Sequence, residues 1–159
     1  MANLNAYLVQ MRYFILLLWA AGLGLTACNS SSTTLSAKTE ATFKLKFPTS
    51  ENLEWEMEED GIWEANFTLD GVPYSANFDN SGNWIETEYE INSESIPENV
   101  KNTVLSSFNG YKTNRIEAIE RETEFLYEYE LTSEKHSIEI IINSSGNVLK
   151  KKVVEKEIE

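Results

Sequence analysis

The chain has 159 residues, of which 13 are Lys or Arg and 26 are Asp or Glu, giving a formal charge of -13 at pH 7 and a pI near 4.5. So acidic a surface repels nucleic acid and anionic lipid headgroups, and a single cysteine leaves neither a disulfide nor a thiolate metal site. The residues after position 27 suffice for one domain that buries roughly two-thirds of its unfolded surface, and not for two independent ones.

The first element is apolar. "YFILLLWAAGLGLTA", Tyr13 to Ala27, carries no charge and follows Arg12. It is shorter than the ~20 residues a membrane-spanning helix needs and has the build of a secretory signal, with a basic residue ahead and small residues at the end. Met11 directly precedes Arg12, so a start at Met1 or at Met11 would deliver the same signal. Leu25, Thr26, Ala27 and Cys28 resemble the lipobox of bacterial lipoproteins. That resemblance implies cleavage before Cys28, lipid on its sulfur and a membrane anchor made of several acyl chains, since one chain holds only marginally. Asn29, where an aspartate commonly retains such proteins in the inner membrane, implies the outer membrane; a periplasmic or surface-facing orientation stays open. "NSSSTTLSAKTE" is small and polar, a flexible linker. The expected organisation is a signal over 1–27, a linker over 28–36 and one domain over 37–159.

Beyond the linker, alternation with period two dominates. "NLEWEMEEDG", "IWEANFTLDG", "VPYSANFDNSGN" and "WIETEYEI" set apolar against polar residues and break at Asp60-Gly61, Asp70-Gly71 and Asn80-Ser81-Gly82, which predicts four antiparallel strands joined as a meander. Residues 97–108 predict a short amphipathic helix, with Ser95 as N-cap, Pro97 in its first turn, Gly110 as its stop and Val100, Val104, Leu105 and Phe108 on its apolar side. "RIEAIERE", "FLYEYELT", "HSIEIIIN" and "NVLKKKVVEKE" then predict four more strands.

The two halves align. An offset of 64 pairs Trp63 with Tyr127, Phe67 with Leu131, Phe78 with Ile142, Gly82 with Gly146 and Ile85 with Leu149, so that "DNSGNWI" lands on "NSSGNVL". An offset of 61 pairs Phe47 with Phe108 and Trp55 with Ile116. Residues 37–47 then become a helix by correspondence with 97–108, although "TFKLKF" alone is compatible with a strand. The expectation is an α+β fold of two tandem helix-plus-four-strand repeats, 37–92 and 95–157, forming one sheet with its helices on one face. In it Trp55, Phe67 and Phe78 belong to the shielded interior.

Phe47-Pro48, Trp55, Glu64-Ala65-x-Phe67, Phe78-Asp79-x-x-Gly82-x-Trp84, Glu86-Thr87 and Ile96-Pro97 together resemble the PepSY-like, beta-lactamase-inhibitor-like family of Gram-negative envelope lipoproteins, over residues 40 to 155. The resemblance implies a curved sheet with helices packed on its convex side, and it carries over neither a catalytic role nor individual binding residues.

Alternation puts Glu54, Glu56, Glu58, Glu64, Glu86, Glu88 and Glu90 on the face away from the helices, with Ile62 and Trp84 among them and Glu128, Glu130 and Glu139 in the second repeat. Residues 51–100 hold fourteen acids and no Lys or Arg. Opposed like charges cost roughly 0.2 to 1 kcal/mol a pair, so the face serves either solubility or a neutralising partner, and a Trp among carboxylates is an interface feature. Glu54, Glu56, Ile62, Glu64, Trp84, Glu86, Glu88 and Glu90 are the candidate partner-binding residues. No catalytic constellation stands out: His136 is the only histidine, and period-two strands bring carboxylates together automatically. "DNSGN" at Asp79 is a turn lacking the later acid of a calcium loop, and Lys150 to Lys152 protect a sheet edge. The leading reading is a lipid-anchored, non-enzymatic envelope protein that presents the acidic face to a protein partner, with inhibition of an envelope hydrolase as one form of it. A small-ligand or divalent-cation-binding lipoprotein and a scaffold without a dedicated ligand stand beside it. No cofactor is implied.

Overall fold

Ser36 starts the first helix: its backbone is extended, its hydroxyl accepts the Thr39 N–H at 3.0 Å, and helix α1 runs over Ala37–Lys46 with Glu40 in its first turn and Lys44 and Lys46 in its last, in accord with its dipole. The computed structural model describes residues 34–59 and 61–154; the segment expected to be a signal, Cys28 and most of the expected linker lie outside them. Strands β1 (Glu51–Glu59), β2 (Ile62–Leu69), β3 (Val72–Asp79) and β4 (Trp84–Glu90) follow, then helix α2 (Glu98–Ser107), then β5 (Lys112–Arg121), β6 (Phe125–Thr132), β7 (Ser137–Asn143) and β8 (Val148–Val154). The eight strands form one antiparallel sheet in which spatial order equals chain order.

Helix α2 begins later than its sequence suggests. Pro97, not Ser95, is the N-cap; its carbonyl accepts the N–H groups of Val100 and Lys101, and Ser95 closes a 3-10 turn over Ser93–Ser95. The cause is Pro97 itself, which excludes the residue before it from helical conformation, and Ile96 is accordingly extended at φ -84, ψ 133. Leu105 is exposed rather than packed, because ten residues present only a narrow stripe, here Val100, Val104 and Phe108.

Both helices cover the same face. Under α1, Phe43 meets the rings of Phe47, Trp55, Phe67 and Phe78 at centroid distances between 5.0 and 6.1 Å. Ala65 and Ala76, register partners on β2 and β3, leave the room for them. Under α2, Ile96, Val100 and Phe108 pack on Tyr127, Tyr129, Leu131, Ile138, Ile140 and Ile142. Trp55, Phe67 and Phe78 thus belong to the shielded side.

Each helix is also pinned to a hairpin turn. Thr42 Oγ1 donates to the Gly82 carbonyl at 2.8 Å and Thr103 Oγ1 to the Gly146 carbonyl at 2.7 Å. Gly82 has φ +79, and a Cβ there would sit 2.8 Å from Lys38 Cγ, so the turn needs glycine both for its conformation and for its closeness to the helix. Asp79 Oδ1 accepts the Asn83 N–H and Asn143 Oδ1 the Asn147 N–H. The bonds from Asn83 hold the Asp79 carboxyl below its ordinary range, and they account for "DNSGN" as a turn.

Candidate functional site

The face opposite α1 and α2 is built in rows, because cross-strand partners in an antiparallel sheet point the same way. One row reads Glu56, Glu64, Asn77, Glu86 and Arg121 across β1 to β5. The next reads Glu54, Asn66, Ser75, Glu88, Ile119 and Leu126 across β1 to β6. A third brings Glu90, Glu117, Glu128, Ile141 and Lys150 together across β4 to β8. The alternation of carboxylates along each strand becomes a two-dimensional acidic field.

That field is not simply solvated. Ile119 and Leu126 are 1% exposed although neither belongs to the clusters beneath the helices. They form an apolar floor on the open side, and Glu88 stands at its edge, next to Ser75 and Ile119. Burial first, then repulsion from Glu86, Glu128, Glu117 and Glu64, pushes the Glu88 carboxyl up to about 8. Glu64, Glu117 and Glu128 are raised for the same leading reason, loss of water, with Asn66 opposing the shift at Glu64 and Arg115 at Glu117.

Cations on the face are placed at its margins. Arg121 Nε lies 2.8 Å from Glu86 Oε2 and its Nη1 lies 3.0 Å from Glu124. Arg115 Nη1 reaches Glu117 at 3.2 Å, and Lys152 reaches Glu139 at 3.5 Å. The paired Glu86 and Glu117 side chains are each 16% exposed. Glu64 instead accepts from Asn66, and Glu58 from Asn77. Among the described residues Glu88, at the centre of the face, has no Lys or Arg within ion-pair distance.

The structure gathers Glu54, Glu56, Ile62, Glu64, Glu86, Glu88 and Glu90 on this face, and it removes Trp84. Between Asn77 and Phe78 the β3–β4 register slips by one residue, so Glu86 faces Asn77 but Trp84 faces Phe78. Ile85 is the extra residue of this bulge and is exposed. Trp84 therefore packs on the helix side, where Lys46 Nζ sits 3.5 Å from its ring centroid and its Nε1 donates to Thr87 Oγ1 at 2.9 Å. The expectation of Trp84 outward is thus overturned, since a bulge inverts a period-two reading beyond it. Ile119 and Leu126 went unread as part of this face, yet "RIEAIERE" already sets Ile119 in phase with Arg115, Glu117 and Arg121. His136 serves structure: its Nε2 lies 2.6 Å from the Tyr111 hydroxyl.

Among the described residues no group of three or more His, Cys, Asp or Glu is disposed to hold a metal ion. A depression between Glu128, Glu139, Ile141, Lys150 and Lys152 measures about 20 Å³, far below the roughly 300 Å³ at which small-molecule pockets begin. The face is suited to contact by a surface rather than to enclosure of a ligand.

An open antiparallel sheet backed by two helices on one side and lined with carboxylates on the other defines a sheet-surface module. The chain belongs to the family described as "Putative beta-lactamase-inhibitor-like, PepSY-like", whose model matches residues 62–150. Solved structures share the fold. A BLIP-like protein from Bacteroides fragilis NCTC 9343 superposes with a TM-score of 0.66 at 21% identity, covering 81% of this chain and 93% of that one. A chain from Bacteroides eggerthii DSM 20697, described among "putative periplasmic proteins", gives 0.69 at 15% identity over 77% and 91%. A DUF2874 family protein from Bacteroides ovatus ATCC 8483 gives 0.67 at 19% identity over 76% and 89%. Among curated proteins there is no significant match. No helix among the described residues is long and apolar enough to cross a membrane.

Proposed function

We propose that this chain is a non-enzymatic binding protein of the cell envelope, anchored by lipid on Cys28 in the outer membrane, whose helix-free sheet face receives a protein partner through that partner's Lys or Arg side chains. The observation that carries this reading is Glu88: a half-buried carboxyl, without a Lys or Arg of its own, at the edge of the Ile119 and Leu126 floor. Such an acid keeps its proton in the free protein, and a cation arriving with an apolar contact would favour its ionised form and use both features of the site. Inhibition of an envelope hydrolase is the form this binding takes, in keeping with the family and with the BLIP-like structural relative. The domain we read as two tandem helix-plus-four-strand repeats, supported by the twin Thr42–Gly82 and Thr103–Gly146 bonds and the twin Asp79 and Asn143 turns.

The test is capture from envelope extract by the full chain in detergent, compared with a Glu64→Gln, Glu88→Gln, Glu117→Gln variant, followed by residual-activity assays on any captured hydrolase. Loss of a captured protein from the variant, together with inhibition of that protein by the unmodified chain, is the expected result. An unchanged captured set would refute the face as the interface.

A further inference from the structure

The two outer edges of the sheet carry opposite charge on strands of matching exposure. β1 and β8 are the end strands. β1 carries Glu51, Glu54, Glu56, Glu58 and Glu59, and β8 carries Lys150, Lys151 and Lys152. On the helix side Met57 of β1 is 48% exposed and Val153 of β8 is 56% exposed.

The molecule already contains a junction of this type. β4 and β5 pair antiparallel, with Glu88 opposite Ile119 and Tyr89 opposite Ala118. β8 occupies the same place relative to β7 that β4 occupies relative to β3: Ile85 and Leu149 are the extra residues at two equivalent bulges. β1 corresponds likewise to β5. Trp55 faces Ala65 as Ile116 faces Tyr129, and Asn52 and Asn114 each donate to the threonine on the next strand, Thr68 and Thr132. Carrying the β4–β5 register over to β8 and β1 sets Lys152 opposite Glu58 on the open side and Val153 opposite Met57 on the helix side. The correspondence stops at Glu58, where β1 has a bulge that β5 lacks; beyond it Lys150 and Lys151 run along the acidic end of β1.

We infer that β8 of one copy of this chain pairs with β1 of a second copy, head to tail, extending the sheet from molecule to molecule. Edge charge selects this arrangement: β1 against β1 would oppose glutamates and β8 against β8 would oppose lysines, and only the unlike pairing is attractive. The contact is heterologous, so each added copy offers a fresh edge, and assembly grows with concentration instead of closing at a dimer. It is narrow and charge-driven, so it is weak and weakened further by salt, whose screening length is about 8 Å at physiological strength. The face around Glu88 takes no part in it.

The experiment uses two full-length variants on a Cys28→Ser background, Met57→Cys and Val153→Cys, each checked for native far-UV circular dichroism. Exposed to a short bismaleimide, an equimolar mixture should yield covalent dimers severalfold above either variant alone. Lys152→Glu in the Val153→Cys chain should abolish the excess, and Glu58→Lys in its partner should restore it. A mixture that cross-links no more than its separate components overturns the pairing, and so does a yield indifferent to Lys152→Glu.

Discussion

Glu88 on β4 stands directly across the ladder from Ile119 on β5, and the two share the side of the sheet that the helices leave open. A carboxyl in that position loses water to the isoleucine and faces Glu86, Glu128, Glu117 and Glu64, so it holds its proton up to about pH 8.

Stability should therefore fall as pH rises. The folded carboxyl titrates near 8 and the unfolded one near 4.5, so between these values the folded chain binds more protons than the unfolded chain. The contribution is intact below about 4.5, erodes across the interval and is gone above about 8; the raised Glu64, Glu117 and Glu128 act in the same sense. Urea midpoints should drop from pH 5 to pH 8. Glu88→Gln should flatten that slope and raise stability at pH 8 by up to about 4 kcal/mol, at 1.36 kcal/mol per pKa unit. A midpoint that climbs with pH would contradict the burial of this group.

Trp84→Ala should act on folding. Its ring lies under Lys46 and against the α1 cluster, so truncation should cost about 2 kcal/mol, less than the 3 to 5 of a fully buried aromatic. Chemical denaturation at fixed pH measures it. A variant of unchanged stability would return Trp84 to the surface.

Two glycines with the same φ of +79 should respond differently to alanine. At Gly71 a Cβ meets nothing within 4 Å, whereas at Gly82 it meets Lys38 at 2.8 Å with the Lys38 backbone behind it. Gly71→Ala should cost roughly 1 kcal/mol for its conformation alone. Gly82→Ala should cost at least twice that and loosen α1, seen as faster amide exchange at Phe43. Equal costs would show that the helix yields freely.

Cys28→Ser should abolish incorporation of labelled palmitate and move the chain from the membrane to the aqueous fraction in Gram-negative cells. Continued labelling of the serine variant would rule out the lipid on Cys28.

Period two was enough to find every strand here, because one sheet side is apolar along nearly its whole width: Phe67, Phe78, Tyr129 and Ile140 could be read inward from their neighbours alone. What alternation could not show was a change of phase. The bulge at Ile85 leaves no mark in "WIETEYEI", and it turns Trp84 to the helix side. The burial of Glu88 was equally hidden, since it depends on which residue stands opposite on β5, and pairing across the α2 connection is a property of the sheet rather than of either strand. The start of α2 was misplaced for a local reason that was visible, the restriction Pro97 imposes on Ile96.

Because the eight strands lie in the sheet in the order in which they occur along the chain, nearly every ladder closes across a short turn. The exception is the seam between β4 and β5, where the chain must first travel out through α2 and back. Sheets assembled from local pairings escape most of the loop-closure entropy that slows β-rich proteins. Refolding should accordingly run in two tempos, hairpins zipping quickly within each half and the central seam joining last, so that a chain emerging end-first from a narrow channel can begin to organise before its final strands arrive.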